Sequence, residues 1–232
     1  MQRGFTWDIV RWKNKENSDE FVVCNGQRLD LMRVSNATSF NIVNTYLDNQ
    51  SGKNTNINVN VISSRKITSP DNCINCVEWG PKGNSTENML LHGSISGNVQ
   101  LLDWNKDDVD TVYAPIKGIN RVCTEVAWNS TSINLVAASF AKVKNEVCAF
   151  VWDLERNRQQ PIYRASQDPS SSISWLPMEK QLLVVGTFTG YIRLFELGTG
   201  KKNDIASIMA YKKTGSKSRG ITVRTSPHDT HI

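Results

Sequence analysis

The sequence is 232 residues long, 39% apolar and 21% charged, a balance that suits a folded globular protein and excludes a disordered or fibrous one. Its longest unbroken apolar run, Val147–Trp152, falls far short of the ~18 residues a spanning helix requires, so no membrane insertion is expected. Charge interrupts Met1–Asp8 before any apolar leader core develops, which points to a cytoplasmic setting. The formal charge of +5 is local: residues 1–200 hold 20 basic and 20 acidic side chains, and the excess lies in 201–232. A short basic segment with no interleaved aromatic but Tyr211 reads as a solvated connection, so nucleic acid is not the expected partner.

In chain order, Trp12, Phe21-Val22-Val23-Cys24, the Asn25-Gly26 turn and Arg28–Val34 read as successive antiparallel strands. Ser35 to Ser69 is asparagine-rich. Within it Ile57-Asn58-Val59-Asn60-Val61 alternates as an outer strand does, while 35–56 reads as a flexible loop.

From residue 73 onward the chain repeats itself, and a period of 40–50 residues reorganises any reading of it. Cys76-Val77-Glu78-Trp79 is echoed by Glu125-Val126-Ala127-Trp128 and Ser172-Ile173-Ser174-Trp175, with tryptophans 49 and 47 residues apart. Each tryptophan precedes an apolar run that ends in small residues: Met89–Ser94, Leu135–Ser139 and Leu182–Thr187. A third run closes on an acid, Asp103, Asp153 or Glu196, which lies 24, 25 or 21 residues past its tryptophan. These acids are expected to bind turn N–H groups.

Glycine in Ile95–Asn98 and Phe188–Tyr191 supplies the positive φ of tight hairpins. The middle unit replaces that turn with Phe140–Glu146, a longer charged hairpin. More polar fourth strands are expected at Val109–Ala114, Gln160–Arg164 and Ile205–Tyr211. A fifth unit is expected to open 49 residues after Trp175, which sets Arg224 in the tryptophan position.

Four strands per repeat make a propeller blade. The expected fold is all-β: an incomplete β-propeller of about four four-stranded blades plus the start of a fifth. The blades are placed at 5–68, 73–116, 121–165 and 170–212, the next one begins at 219–232, and 212–219 is a second flexible loop. Trp79, Trp128 and Trp175, with Leu91, Val136 and Val184, are the expected inter-blade core. Lys142, Lys144 and Asn145 at the middle hairpin, and Lys212 and Lys213 in the basic segment, are candidate partner-binding positions, because binding usually sits on loops held by a rigid frame.

Nothing in the sequence assembles an active centre. Five irregularly spaced cysteines suit a reducing compartment, and Cys73-Ile74-Asn75-Cys76 lacks a second ligand pair for zinc. Ser51-Gly52-Lys53-Asn54-Thr55 lacks the rest of a phosphate loop, and His92 falls inside a strand as a packing residue. No enzyme activity, cofactor or metal is expected.

The Val-x-Trp openings and the Val151-Trp152-Asp153-Leu154 strand end resemble WD repeats without their usual Gly-His element. The order Asp19–Cys24, Cys76–Trp79, Val126–Asn129 with the long Ala138–Val147 hairpin, then Ser174–Pro177 with Gln181–Leu183, resembles the N-terminal propeller of the Mios (missing oocyte) family. That resemblance implies a scaffold subunit of GATOR complex two, relaying amino-acid sufficiency to the TOR kinase at the cytosolic face of the lysosome. It implies as partners other subunits of a GATOR-type complex, a Seh-type nucleoporin propeller and amino-acid sensor proteins. A generic WD-repeat adaptor in trafficking or ubiquitin ligation, and a nucleic-acid-associated propeller using residues 201–224, are the alternatives.

Overall fold

The computed structural model describes residues 9–13, 19–35, 58–67, 73–106, 108–113, 121–141, 147–156, 160–177, 181–198, 204–210 and 220–225. All regular structure among them is β, in four antiparallel four-stranded sheets. Each sheet is a meander of consecutive strands, most of them joined by connections too short for anything but antiparallel neighbours. The fold is of the β-propeller type.

The chain divides into two compact units, Met1–Ile67 and Thr68–Ile232. The first holds one sheet: β1 (Ile9–Trp12), β2 (Glu20–Asn25), β3 (Arg28–Ser35) and β4 (Asn58–Lys66). Gly26, at φ 62°, makes the turn between β2 and β3. Val22, Cys24, Leu29 and Leu31 are buried on one face of this sheet, while Val10 and Trp12 lie exposed on the other.

The second unit holds three sheets. They comprise β5 (Ile74–Trp79), β6 (Met89–Ser94), β7 (Val99–Asp103) and β8 (Asp108–Tyr113); then β9 (Cys123–Trp128), β10 (Leu135–Phe140), β11 (Ala149–Asp153) and β12 (Tyr163–Arg164); then β13 (Ser170–Trp175), β14 (Leu182–Thr187), β15 (Tyr191–Glu196) and β16 (Asp204–Met209). Gly97 and Gly190, at φ 93° and 96°, make the tight turns before β7 and β15. The fourth strand of the middle sheet is reduced to Tyr163 and Arg164.

Two apolar layers bind these three sheets together. In the first, Cys76, Leu91, Val99, Leu101 and Val112 meet Val126, Trp128, Val136, Phe140, Phe150 and Trp152 of the next sheet. In the second, Ala127, Ala137, Ala149 and Val151 meet Ile173, Trp175, Leu183, Val185, Phe195 and Leu197. In both layers the later sheet contributes most of the aromatic rings, Trp128, Phe140, Phe150 and Trp152 in one and Trp175 and Phe195 in the other, while the earlier sheet contributes mainly smaller aliphatic side chains. Every large side chain sealed this way contributes about 1.5–3 kcal/mol.

Trp128 and Trp175 lie in these layers, and Trp79 is equally buried, with its ring 5.7 Å from that of Trp104. Leu91 and Val136 meet across one layer from opposite sheets, while Val184 lies on the forward face of its own sheet. The residues paired to the tryptophans across the strands are Leu90, Val136 and Leu183.

Inner strands also lock to one another. Asn75 Nδ2 donates to the Cys123 carbonyl at 2.9 Å, Thr124 Oγ1 to the Ser170 carbonyl at 2.9 Å, and Ser171 Oγ to the Ile221 carbonyl at 2.7 Å. Each donor stands four residues before its tryptophan, and each accepting carbonyl belongs to the next inner strand. The segment 220–225 therefore lies where the inner strand of a further sheet would lie. The period sets a tryptophan-equivalent at Arg224, and the segment is tied to β13 there by Val223 N–H to Ser172 Oγ at 2.9 Å and by Thr225 Oγ1 to the Trp175 carbonyl at 2.7 Å. Arg224 itself pairs with Glu125.

His92 is the exception in this core. It is fully buried on β6, and neither ring nitrogen has a hydrogen-bond partner among the described residues. Burial lowers its pKa to about 4. The unfolded chain then takes up a proton below pH ~6.5 that the folded chain refuses until about pH 4, so stability falls as pH drops through that window. Replacing His92 with Leu should remove a pH-dependent term of roughly 3 kcal/mol between pH 6.5 and 4, read as a flatter pH profile of the urea midpoint. An unchanged profile would clear His92 of the effect.

Candidate interaction surface

The middle sheet carries the long connection between β10 and β11, and its root is built around one buried cation. Arg121, directly before β9, is only 3% exposed. Its guanidinium carbon lies 4.3 Å from the Phe140 ring centroid, 5.1 Å from that of Phe150 and 5.8 Å from that of Tyr113. It donates to the Val147 carbonyl and, at 3.0 Å, to the Tyr113 hydroxyl. Tyr113, Phe140, Phe150 and Trp152 pack with centroids 5.5–5.8 Å apart, so the cation roofs the aromatic layer between two sheets.

Among the described residues the cation's contacts are ring faces, the Val147 carbonyl and the Tyr113 hydroxyl, which offset part of the cost of its burial. The neighbouring backbone continues the clamp: Phe140 N–H donates to the Cys148 carbonyl at 2.7 Å and Ala141 N–H to the Val122 carbonyl at 2.9 Å. The connection therefore leaves the sheet from a fixed root. Lys142, Lys144 and Asn145 sit on it but lie outside the described residues, as do Lys212 and Lys213.

The opposite end of the sheets is made of short turns with a recurring bond. Trp104 N–H donates to the Asn88 carbonyl, Leu154 N–H to that of Asn134 and Leu197 N–H to that of Gln181, at 2.8–2.9 Å. Asp103 accepts from the N–H groups of Asn105 and Lys106, and Asp153 from the N–H of Glu155 and from Asn134 Nδ2. Burial works against the Asp103 charge, but those donors outweigh it and hold its carboxyl below the usual range. These acids stabilise turns, each occupied by its own loop.

Along the inner strands, Glu125 accepts from Ile173 N–H at 3.3 Å and from Arg224 Nη1 at 2.8 Å. Desolvation opposes the Arg224 charge; Glu125, with a smaller contribution from Glu78, outweighs it and raises the guanidinium pKa. Nearby, the Cys76 and Cys123 sulfurs lie 3.7 Å apart, both buried, and burial followed by the Cys123 contact pushes the Cys76 thiol well above its ordinary value. Cys73 does not join them in a ligand set. Among the described residues no three His, Cys, Asp or Glu side chains converge to hold a metal.

Sequence reasoning missed Arg121 and Glu125. A lone Arg before a strand carries no periodic mark, and a buried Glu on an inner strand is visible only once the neighbouring strand is placed. Arg121→Met keeps the stem packing but removes the ring contacts and both donors. It should lower unfolding free energy by about 2 kcal/mol and accelerate amide exchange at Phe140 and Ala141. Glu125→Ala leaves the Ile173 N–H and Arg224 without their acceptor and should cost about 1–3 kcal/mol in denaturant unfolding. Unchanged exchange in the first variant would remove Arg121 from the root of the connection.

No family model matches the chain. Over 115 residues, 49% of this chain and 13% of the relative, it is 24% identical to the GATOR2 complex protein Mio of Drosophila melanogaster. Among solved structures it is similar to a chain of the COPII outer coat vertex on membranes, at TM-score 0.59 and 14% identity, covering 82% of this chain and 47% of that one. It is also similar to a chain of the humanized mutant of Chaetomium thermophilum Polycomb Repressive Complex 2, at TM-score 0.59 and 10% identity, covering 85% of this chain and 40% of that one. The chain thus spans less than half the length of each of these proteins, and the structural likeness is one of fold.

Proposed function

We propose that the chain is a non-enzymatic protein-interaction scaffold of the Mios type, contributing to a GATOR-type complex in amino-acid signalling to the TOR kinase. The observation that carries this reading is the 115-residue likeness to the GATOR2 protein Mio, set on a propeller-type fold. The described polar groups fit a structural role. His92 is sealed in the core, the turn acids bind their own backbone, and the Glu125–Arg224 pair joins strands. Binding then falls to loops on a rigid frame, above all the connection rooted by Arg121. The partners proposed are a Seh-type nucleoporin propeller and amino-acid sensor proteins, and the setting is the cytoplasm at the cytosolic face of the lysosome.

Affinity capture of the purified chain with a purified Seh-type propeller tests the reading. Stoichiometric co-elution on size exclusion, weakened by Lys142→Glu combined with Lys144→Glu, is the expected outcome. Failure of the folded chain to retain that partner would sink the Mios-type assignment.

A further inference from the structure

At the inner edge of the second unit, one junction between sheets carries sulfur on both sides. The residue three before each tryptophan is Cys76, Glu125 or Ser172, and the residue five before the tryptophan of the following sheet is Cys123 or Ser170. Cys76 and Cys123 thus come from neighbouring sheets, on β5 and β9. Their sulfurs are 3.7 Å apart, and Cys76 Sγ is equally far from the Cys123 carbonyl. Both are free thiols within the apolar layer, 5% and 0% exposed. Cys24 and Cys148 lie elsewhere, their thiols donating to the Gly26 and Gln167 carbonyls.

Gly93, paired with Cys76 across the strands, supplies the room for this contact. A Cβ there would stand 2.3 Å from Cys123 Sγ and 2.8 Å from Cys76 Sγ, so the two sulfurs fill the space of the missing side chain. They touch with nothing between them and need to close by about 1.7 Å to reach disulfide bond length. The backbone beside both is irregular. β5 carries an extra residue, Asn75, between the Ile74–Ser94 and Cys76–Gly93 pairs, and β9 carries Thr124 between Cys123–Phe140 and Glu125–Ser139. Such a bulge interrupts the ladder and lowers the cost of opening it locally, which is how a small oxidant reaches a buried pair.

We propose that Cys76 and Cys123 are an oxidation site, converted by a peroxide to a disulfide that staples the second sheet to the third at their inner edge. One sulfur attacks a peroxide oxygen; the O–O bond breaks, a sulfenic acid forms and water leaves. The other sulfur then attacks the sulfenic sulfur, the S–S bond forms, the S–O bond breaks, and the hydroxide leaves as a second water with the remaining thiol proton. Two thiols and one peroxide thus give one disulfide and two waters. Burial and the raised Cys76 pKa keep thiolate scarce in the closed strands, so the first step runs through the open ones. The bond closes a loop between residues 47 apart and restricts the unfolded chain. In a reducing compartment the pair rests as thiols, and the staple forms in response to oxidant.

Treatment of the folded chain with hydrogen peroxide, alkylation in urea and peptide mapping without reductant test the assignment. The expected product joins the peptides of Cys76 and Cys123, two hydrogens lighter than their sum, while Cys24 and Cys148 are alkylated. Its urea midpoint should rise, and dithiothreitol should reverse the rise. Cys73→Ser should leave the link in place, whereas Cys76→Ser and Cys123→Ser should each abolish it. Serine already holds the corresponding places at Ser172 and Ser170, and unchanged cooperative unfolding of each variant shows that the fold is kept. Both thiols still alkylated once peroxide has consumed the half-buried Cys73, oxidation of either to a sulfinic acid without a link, or a link through any other cysteine would overturn the proposal.

Discussion

An antiparallel sheet with two apolar faces is stable in water only when both are covered, and that requirement organises this molecule. The three sheets of the second unit solve it by division of labour. Tryptophan and phenylalanine on the backward face reach across the gap, and alanine, valine and leucine on the forward face leave room for them. Sheets pack about 10 Å apart, so two aromatic faces would be overfilled and two alanine faces would leave voids, each costing kilocalories. The variation in the forward face follows the same rule. Leu91, Leu101 and Val99 line one layer, while Ala137, Val151 and Ala149 line the next, where Trp175 and Phe195 supply the bulk.

Close packing of the inner strands depends on removing side chains. A Cβ at Gly93 would overlap the Cys123 sulfur, and one at Gly186 would overlap the Ile221 carbonyl oxygen. The small residue at the end of each second strand is therefore a clearance for the strand that follows. Once that strand is close, a short polar side chain from the previous sheet can reach its carbonyl. Asn75, Thr124 and Ser171 perform this with three different chemistries at one position. The apolar layers supply most of the energy, and these hydrogen bonds fix register, because a one-residue slip would exchange buried and exposed faces.

The same physics decides what the sequence discloses. Strand runs, turn glycines and the tryptophan period are local features, and they mark the first three strands of each sheet in the second unit, while the expected fourth strand at Gln160–Arg164 is cut to Tyr163 and Arg164. Which face a residue serves depends on the neighbouring sheet. Leu91, Val136 and Val184 therefore look equivalent in the sequence, although Leu91 and Val184 face forward and Val136 faces back. Arg224 shows what a period alone leaves out: its pairing with Glu125 joins residues 99 apart, which no local spacing discloses. Arg121 leaves no trace in the sequence, because its aromatic surroundings come from β8, β10 and β11.

Arg121 also shows how such a frame can anchor the foot of a connection without losing stability. Its guanidinium is bound on one side by the ring faces of the inter-sheet layer and on the other by the Val147 carbonyl at the foot of the connection. Ordering the loop's foot therefore draws on the same aromatic packing that joins the sheets. In a fold whose sheets repeat, this is how one sheet acquires a distinctive feature. The repeated layers contribute stability in nearest-neighbour increments, and a single non-repeating cation ties the foot of one connection to them.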